Sequence, residues 1–303
     1  MNGGLPFIDL GLKAGSGVQV MMRAPTAEGL CETSAGSAQA VARDVTVLLH
    51  GSVSNSAMWR ALTTALPASC RIVAPDLVGY GQSAAWQGER PFRLEHELAA
   101  IAAVLPTATG RWHVVGHSYG GLVALHLALA DPQRVESLTL IEPVFVAALR
   151  YRGEMDAYDA FRRVRDDFVS RLHAGERDAA MRGFIDFWTG AGAWDALSPS
   201  ARAESLKVAD KIELDWEAAL ADDPGPDGLA ALAPCTLLIR GDRSPAPMSR
   251  LVDVLHAFMP GSAQVIVPGA NHLLPLTHGP AVNRAIAQHV AGAIGRDAAP
   301  GTA

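Results

Sequence analysis

Residues 112–121 read WHVVGHSYGG, and residues 121–130 continue as GLVALHLALA. The opening WHVVGH is an apolar, β-branched run of strand length, whereas GLVALHLALA is apolar on every side and reads as a buried helix. Ser118 stands at the junction, with Gly116 and Gly120 two residues to either side. A GxSxG pattern alone arises by chance in roughly one in six chains of this length and composition. Its setting carries more weight. A serine on a sharp strand-to-helix turn is driven into a strained backbone geometry that lifts its hydroxyl above the carboxyl edge of the sheet. Glycines on both sides remove Cβ atoms that would collide in such a turn. The helix that opens there supplies N–H groups and a positive dipole end, suited to stabilising an oxyanion.

Working outward, similar apolar runs recur as VQVMMR (18–23), VTVLLHG (45–51), RIVAPD (71–76), VESLTLIE (135–142), CTLLIRGD (235–242) and AQVIVPG (263–269). Helical patterns separate most of them, at 58–66, 92–105, 121–130, 248–258 and 279–294. Strands that alternate with helices, and lack polar alternation, predict an α/β fold with a mostly parallel central sheet and helices on both faces.

One interval breaks the rhythm. Residues 143–226 contain no strand pattern, yet they hold ten of the 18 aromatic residues, among them Tyr158, Phe161, Phe168, Phe184, Phe187, Trp188, Trp194 and Trp216. Tyr158, Phe161, Phe168 and Leu172 follow helical spacing. The expectation is a helical insertion at 143–226, a cap, between core segments 1–142 and 227–303. Its aromatics would pack into a small core of their own, with some turned toward a substrate cleft. DDPGPDG (222–228) is a turn-rich exit from it.

Composition narrows the function. With 303 residues, 49% hydrophobic and 18% charged, the chain is long enough for one large domain with an insertion. A net charge of −6 and the absence of any dense Lys/Arg cluster argue against nucleic acid as a partner. The densest basic stretch, Arg162-Arg163-Val164-Arg165, runs straight into Asp166-Asp167, a mixed solvated face. No apolar run reaches the eighteen or so residues of a membrane span, and MNGGLPFIDLGLKAG lacks the basic and apolar regions of a signal peptide, so a cytoplasmic location is expected. Cys70 and Cys235 open apolar runs and read as small core residues; Cys31 lies in a polar stretch without an assignable role. The Ser/Gly/Ala-rich 33–40 reads as a surface loop and RDAAPGTA as a frayed tail. No HExxH, paired-cysteine or EF-hand pattern points to a metal, and no cofactor is expected. GYGQSA (79–84) fits a dinucleotide-binding glycine pattern, but neither an immediate helix nor a second strand with an acidic end follows it.

A serine hydroxyl needs a base, and the base needs an orienting acid. Asp242 closes CTLLIRGD and His272 follows AQVIVPGAN, which places each just past a strand's carboxyl end, on the edge that carries Ser118. Glu142, at the end of VESLTLIE, is the rival acid. Among the other histidines, His278 begins the last helix, His117 adjoins the serine and is expected to pack or hydrogen-bond locally, and His50 to brace its loop.

With His50-Gly51 at a strand end, APDLVGYGQS (74–83), GHSYGG (116–121) and the GD…NH pair (241–242, 271–272), the chain resembles the α/β-hydrolases with a helical cap, over about residues 18–295. That resemblance implies a catalytic Ser118–His272–Asp242 triad, with Glu142 taking the acid's place in the plan of certain haloalkane dehalogenases, whose aspartate nucleophile Ser118 replaces. It also implies an oxyanion hole from the N–H groups of Ser52 and Tyr119, with Val53 as the alternative to Ser52. The expected activity is ester hydrolysis of a small, partly apolar molecule through an acyl-enzyme. Carbon–carbon, lactone or amide hydrolysis, cofactor-free perhydrolysis and a non-catalytic small-molecule receptor remain open on the same residues, as does the oligomeric state.

Overall fold

The computed structural model describes residues 20–23, 44–106, 110–230, 232 and 235–297. Cys31, the 33–40 stretch and the last six residues of the tail lie outside them.

Seven strands form one sheet: β1 Val20–Arg23, β2 Val45–Leu49, β3 Arg71–Pro75, β4 Trp112–His117, β5 Val135–Ile141, β6 Cys235–Gly241 and β7 Ala263–Val267. Their spatial order is β1-β3-β2-β4-β5-β6-β7. Strands β2 to β7 are all parallel, and β1 joins the edge antiparallel to β3. All seven apolar runs named from the sequence contain strands, each ending within two residues of its predicted limit.

The near-continuous apolar strands have a simple cause. Side chains alternate across a strand, so a sheet covered on both faces needs apolar residues at consecutive positions. On β2, Val47 and Leu49 enter one apolar layer and Leu48 the other; on β6, Leu238 enters the first layer while Leu237 and Ile239 enter the second. The first layer is closed by α2 (Leu94–Ala102), α3 (Tyr119–Ala130) and α11 (Ala246–Phe258), and the second by α1 (Arg60–Ala65) and α13 (Gly279–Asp297). Helix α3 is buried along nearly its whole length, as its all-round apolar sequence requires. Cys70 is buried, whereas Cys235, at the start of β6, is half-buried.

Between β5 and β6 the chain runs through α4 (Ala147–Tyr151), α5 (Met155–His173), α6 (Arg177–Thr189), α7 (Ala193–Ala196), α8 (Pro199–Lys207), α9 (Ala209–Ala221) and α10 (Gly225–Ala230). Phe161, Phe168, Phe184, Trp188, Trp194 and Trp216 are buried there. Phe168–Phe184, Phe161–Trp188 and Phe184–Trp188 pack with ring centroids 5.7, 5.9 and 6.2 Å apart. They do not form a separate core. These rings are continuous with the apolar layer of α2, α3 and α11, which alters the expectation of a self-contained cluster.

Chain order and spatial order together locate the working edge. From β2 the chain moves to β3 on one side, then returns past β2 to β4 on the other. Helix α1 after β2 and α3 after β4 therefore cover opposite faces, and a crevice opens between the carboxyl ends of β2 and β4, where open α/β sheets bind ligands.

Candidate active site

Ser118 follows β4 directly and adopts φ 55°, ψ −121°. Few non-glycine residues tolerate this region, and such strain persists only where the surroundings over-determine it. Here the Ser118 N–H donates to the Ile141 carbonyl of β5 at 3.0 Å, and its own carbonyl accepts from Gly121, Leu122 and Val144 at 2.9, 3.2 and 3.2 Å. The flanking glycines make room for close approach. A Cβ on Gly116 would lie 2.3 Å from the Gly120 carbonyl oxygen, and one on Gly120 would lie 2.2 Å from that of His50.

The Ser118 hydroxyl faces a histidine that carries a carboxylate behind it. His272 Nε2 lies 2.9 Å from Ser118 Oγ, and His272 Nδ1 lies 2.6 Å from Glu142 Oε2. All three residues are buried. The other Glu142 oxygen, Oε1, accepts from the Gly241 N–H at 2.8 Å and from the Ser244 hydroxyl. With Oε2 accepting, Nδ1 carries a proton and Nε2 is free to accept one from serine.

This geometry corrects one expectation. Asp242 is exposed, and its Oδ1 accepts from the Gly269 N–H at 2.7 Å within the turn after β7. Glu142 occupies the place behind His272 because β5 lies beside β4, with His117 paired to Ile141, so Ser118 and Glu142 are successive steps off adjacent strands. Glu142 also has positive φ (44°), a turn that carries its side chain under His272 rather than along the strand. The signal was present in the sequence: a carboxylate between TLI and PVF is bound for burial and must find partners there, whereas Asp242 opens a polar GDRS turn.

Two further histidines, His50 and His117, brace the site. His50 Nε2 accepts from the Leu77 N–H at 2.9 Å and Nδ1 donates to the Gly51 carbonyl at 2.8 Å, while burial pushes its pKa down to about 4. Neutral His50 thus ties the loop after β2 to the loop after β3. His117 Nε2 donates to the His272 carbonyl at 2.9 Å, and burial holds it neutral as well. His278, just before α13, pairs through Nδ1 with the Thr277 hydroxyl at 2.9 Å. The APDLVGYGQS stretch is a turn organised by Asp76, which accepts from Ser56 N–H at 2.7 Å and Gln82 N–H at 3.0 Å. Gly81 there has φ 56°, and any Cβ on it would lie 2.2 Å from Asp76 Oδ2, so these glycines serve a loop and no dinucleotide turn.

A family model described as the alpha/beta hydrolase fold matches residues 45–279. The chain belongs to the α/β-hydrolase family. It is 30% identical over 239 residues to a pimeloyl-[acyl-carrier protein] methyl ester esterase of Edwardsiella ictaluri, covering 77% of this chain and 87% of that one. It is 40% identical over 111 residues to the lipase LipV of Mycobacterium tuberculosis, but that match spans only 36% of this chain and 41% of the lipase. A crystal structure of a hydrolase from Pseudomonas aeruginosa shares the fold, with TM-score 0.67, 20% identity, and coverage of 90% of this chain and 94% of that one.

Above Ser118 this α/β hydrolase has a narrow cavity. Ser52, Tyr119 and Asp215 line it together with Val144, Phe184, Trp188, Ile212, Trp216 and Ala219. Its free interior, about 20 Å³, has room for a single water-sized molecule. Trp188 stacks on His272, with centroids 4.3 Å apart and planes at 26°. Asn271 Nδ2 donates to the Thr189 carbonyl at 2.9 Å, which anchors the end of α6 to the His272 loop. Trp188 and Asp215, unplaced by sequence reasoning, are thus wall residues of the cavity. Tyr119 opens α3, where helix geometry leaves its N–H outside the i to i−4 ladder. Val53, next to Ser52, has φ 57°, so all three non-glycine residues with positive φ among the described residues follow the carboxyl ends of β2, β4 and β5, on one edge of the sheet.

Proposed function

We propose that the chain is a serine esterase that cleaves carboxylic esters of small, apolar acyl groups, with Ser118 as nucleophile, His272 as general base and Glu142 as the orienting acid. The observation that carries the reading is the continuous hydrogen-bonded row Ser118 Oγ, His272 Nε2, His272 Nδ1 and Glu142, on a strained serine at the edge where ligands bind. His272 takes the serine proton as Oγ attacks the ester carbonyl. Glu142 stabilises the imidazolium. The N–H groups of Ser52 and Tyr119 receive the oxyanion, and the imidazolium then protonates the departing alcohol. Water, deprotonated by the same histidine, releases the acid from the acyl-enzyme.

The apolar wall of Val144, Phe184, Trp188, Ile212 and Trp216 supports an uncharged acyl group, and the ester hydrolases among the relatives support an ester over an amide. Residues 143–226 act in this reading as a cap that roofs the cavity. Ser118→Ala is expected to lower kcat on short-chain p-nitrophenyl esters by about four orders of magnitude. A fluorophosphonate should label wild-type Ser118, with the modified peptide identified by mass spectrometry. Hydrolysis undiminished in Ser118→Ala would refute the assignment.

A further inference from the structure

From Asp215 in the cavity wall a buried charged cluster runs inward, and the proposed chemistry does not use it. Asp215 Oδ2 accepts from the Ser52 hydroxyl and from the Tyr80 hydroxyl, both at 2.5 Å. Lys211, one turn earlier on α9, donates to Asp215 Oδ1 and to Glu97 Oε1, the latter at 2.9 Å. Glu97 Oε2 accepts from the Val78 N–H at 3.1 Å. Lys211, Asp215 and Glu97 are 6, 4 and 0% exposed, so water contributes little to any of them. Burial pulls the Lys211 ammonium down, but Asp215 and Glu97 outweigh it and hold the pKa above its ordinary value. The ammonium also lies over the rings of Phe92, Tyr119 and Tyr80, at 4.5, 4.8 and 5.2 Å.

Such a cluster is a poor way to stabilise a fold, because apolar side chains of similar volume commonly do as well or better. Its connections suggest a different role. From one helix of the 143–226 segment it reaches the loop after β2 through Ser52, the loop after β3 through Tyr80 and Val78, and the ring of the residue following Ser118. Both Asp215 oxygens are engaged by protein donors, and the Ser52 hydroxyl gives its only proton to Asp215, so the hydroxyl is held in one direction rather than free to turn. Beside Ser52, Val53 holds a positive φ that must be enforced from outside.

We propose that Asp215, fixed by Lys211, is a positioning residue that holds the oxyanion loop in register through the Ser52 hydroxyl, so that the oxyanion hole is complete only when α9 is seated. This rests on the serine-hydrolase reading above. The test is steady-state hydrolysis of p-nitrophenyl butyrate, with thermal melts and fluorophosphonate labelling in parallel. Ser52→Ala keeps the backbone N–H and removes the tether. Because outright loss of an oxyanion donor costs about 100- to 1,000-fold in kcat, a loosened one is expected to cost about tenfold or more, with KM within about twofold. Ser52→Thr, which keeps a hydroxyl, should recover most of that loss. Combining Ser52→Ala with Asp215→Asn should be no worse than the poorer single variant within about threefold, since both act through one tether. Should Asp215→Asn fail to fold, Ser52→Ala and Ser52→Thr decide the matter alone. A Ser52→Ala enzyme with unchanged kcat and only a lower Tm, or losses that multiply in the double variant, would overturn the proposal while leaving the hydrolase intact. A wild-type chain neither labelled nor active on any ester would overturn the hydrolase reading, and this proposal with it.

Discussion

Glu142→Gln gives the sharpest test of the site because the structure dictates which way the new amide must face. Glu142 Oε1 accepts from two donors, the Gly241 N–H and the Ser244 hydroxyl, while Oε2 accepts from His272 Nδ1. A buried glutamine keeps its carbonyl toward Gly241 and Ser244, which turns its NH2 toward Nδ1. His272 must then present a bare Nδ1 and a protonated Nε2, the tautomer that has no lone pair for the Ser118 proton. In a serine triad this exchange preserves geometry yet costs about 10⁴ in kcat, or about 5.5 kcal/mol of barrier. Asp242→Asn touches only the Gly269 N–H on an exposed turn and should leave kcat within about twofold. Purified variants would be compared on p-nitrophenyl butyrate, with thermal melts to verify folding. A Glu142→Gln enzyme retaining a tenth of wild-type kcat beside a dead Asp242→Asn would show that the acid had been misassigned.

Three further outcomes follow from packing and protonation. Gly120→Ala would set a Cβ 2.2 and 2.5 Å from the backbone oxygens of His50 and Leu49, so urea melts should show about 1–3 kcal/mol of destabilisation, against almost none for Gly261→Ala, whose surroundings are open. An unchanged midpoint for Gly120→Ala would contradict the close approach of α3 to β2. Trp188→Ala removes a buried ring that stacks on His272, with an expected loss of about 3–5 kcal/mol, and it widens the cavity. The ratio of kcat/KM for p-nitrophenyl octanoate over acetate should rise in this variant; a ratio that stays put would mean that Trp188 does not limit the acyl group. His50 has a folded pKa of about 4 against 6.5 unfolded, so the unfolded chain binds the extra proton between those values. Its contribution to stability is full above pH 6.5 and is lost as pH falls toward 4, amounting to about 3 kcal/mol. His50→Gln, which does not titrate, should flatten the pH dependence of urea unfolding across that window, and parallel curves for the two proteins would refute it.

Much of this molecule was legible in one dimension. Apolar strands without polar alternation require a sheet buried on both faces, and their alternation with helices makes it parallel, so the layers and the strand ends follow from sequence. WHVVGHSYGGLV likewise specifies the turn at Ser118, because the strand, the helix and the clash-relieving glycines are all local. His272 was reached through its position after a strand, and His50 and His117 through their neighbours.

The carboxylate that pairs with His272 was not legible in the same way. Glu142 and Asp242 both end strands on one edge, and chain order makes Asp242 the natural partner; lateral order decides otherwise, since β5 borders β4 and a positive φ turns Glu142 under the imidazole. Nor does periodicity reveal that Asp215, 163 residues from Ser52, accepts its hydroxyl, or that Trp188 covers His272. Hydrophobic pattern and turn chemistry act between neighbours in the chain, so the sequence alone determined the layers, the turn at Ser118 and the histidine that faces it. Which carboxylate and which ring meet across the crevice depends on sheet order and on how the helices after β5 fold back, and that only the tertiary structure decided.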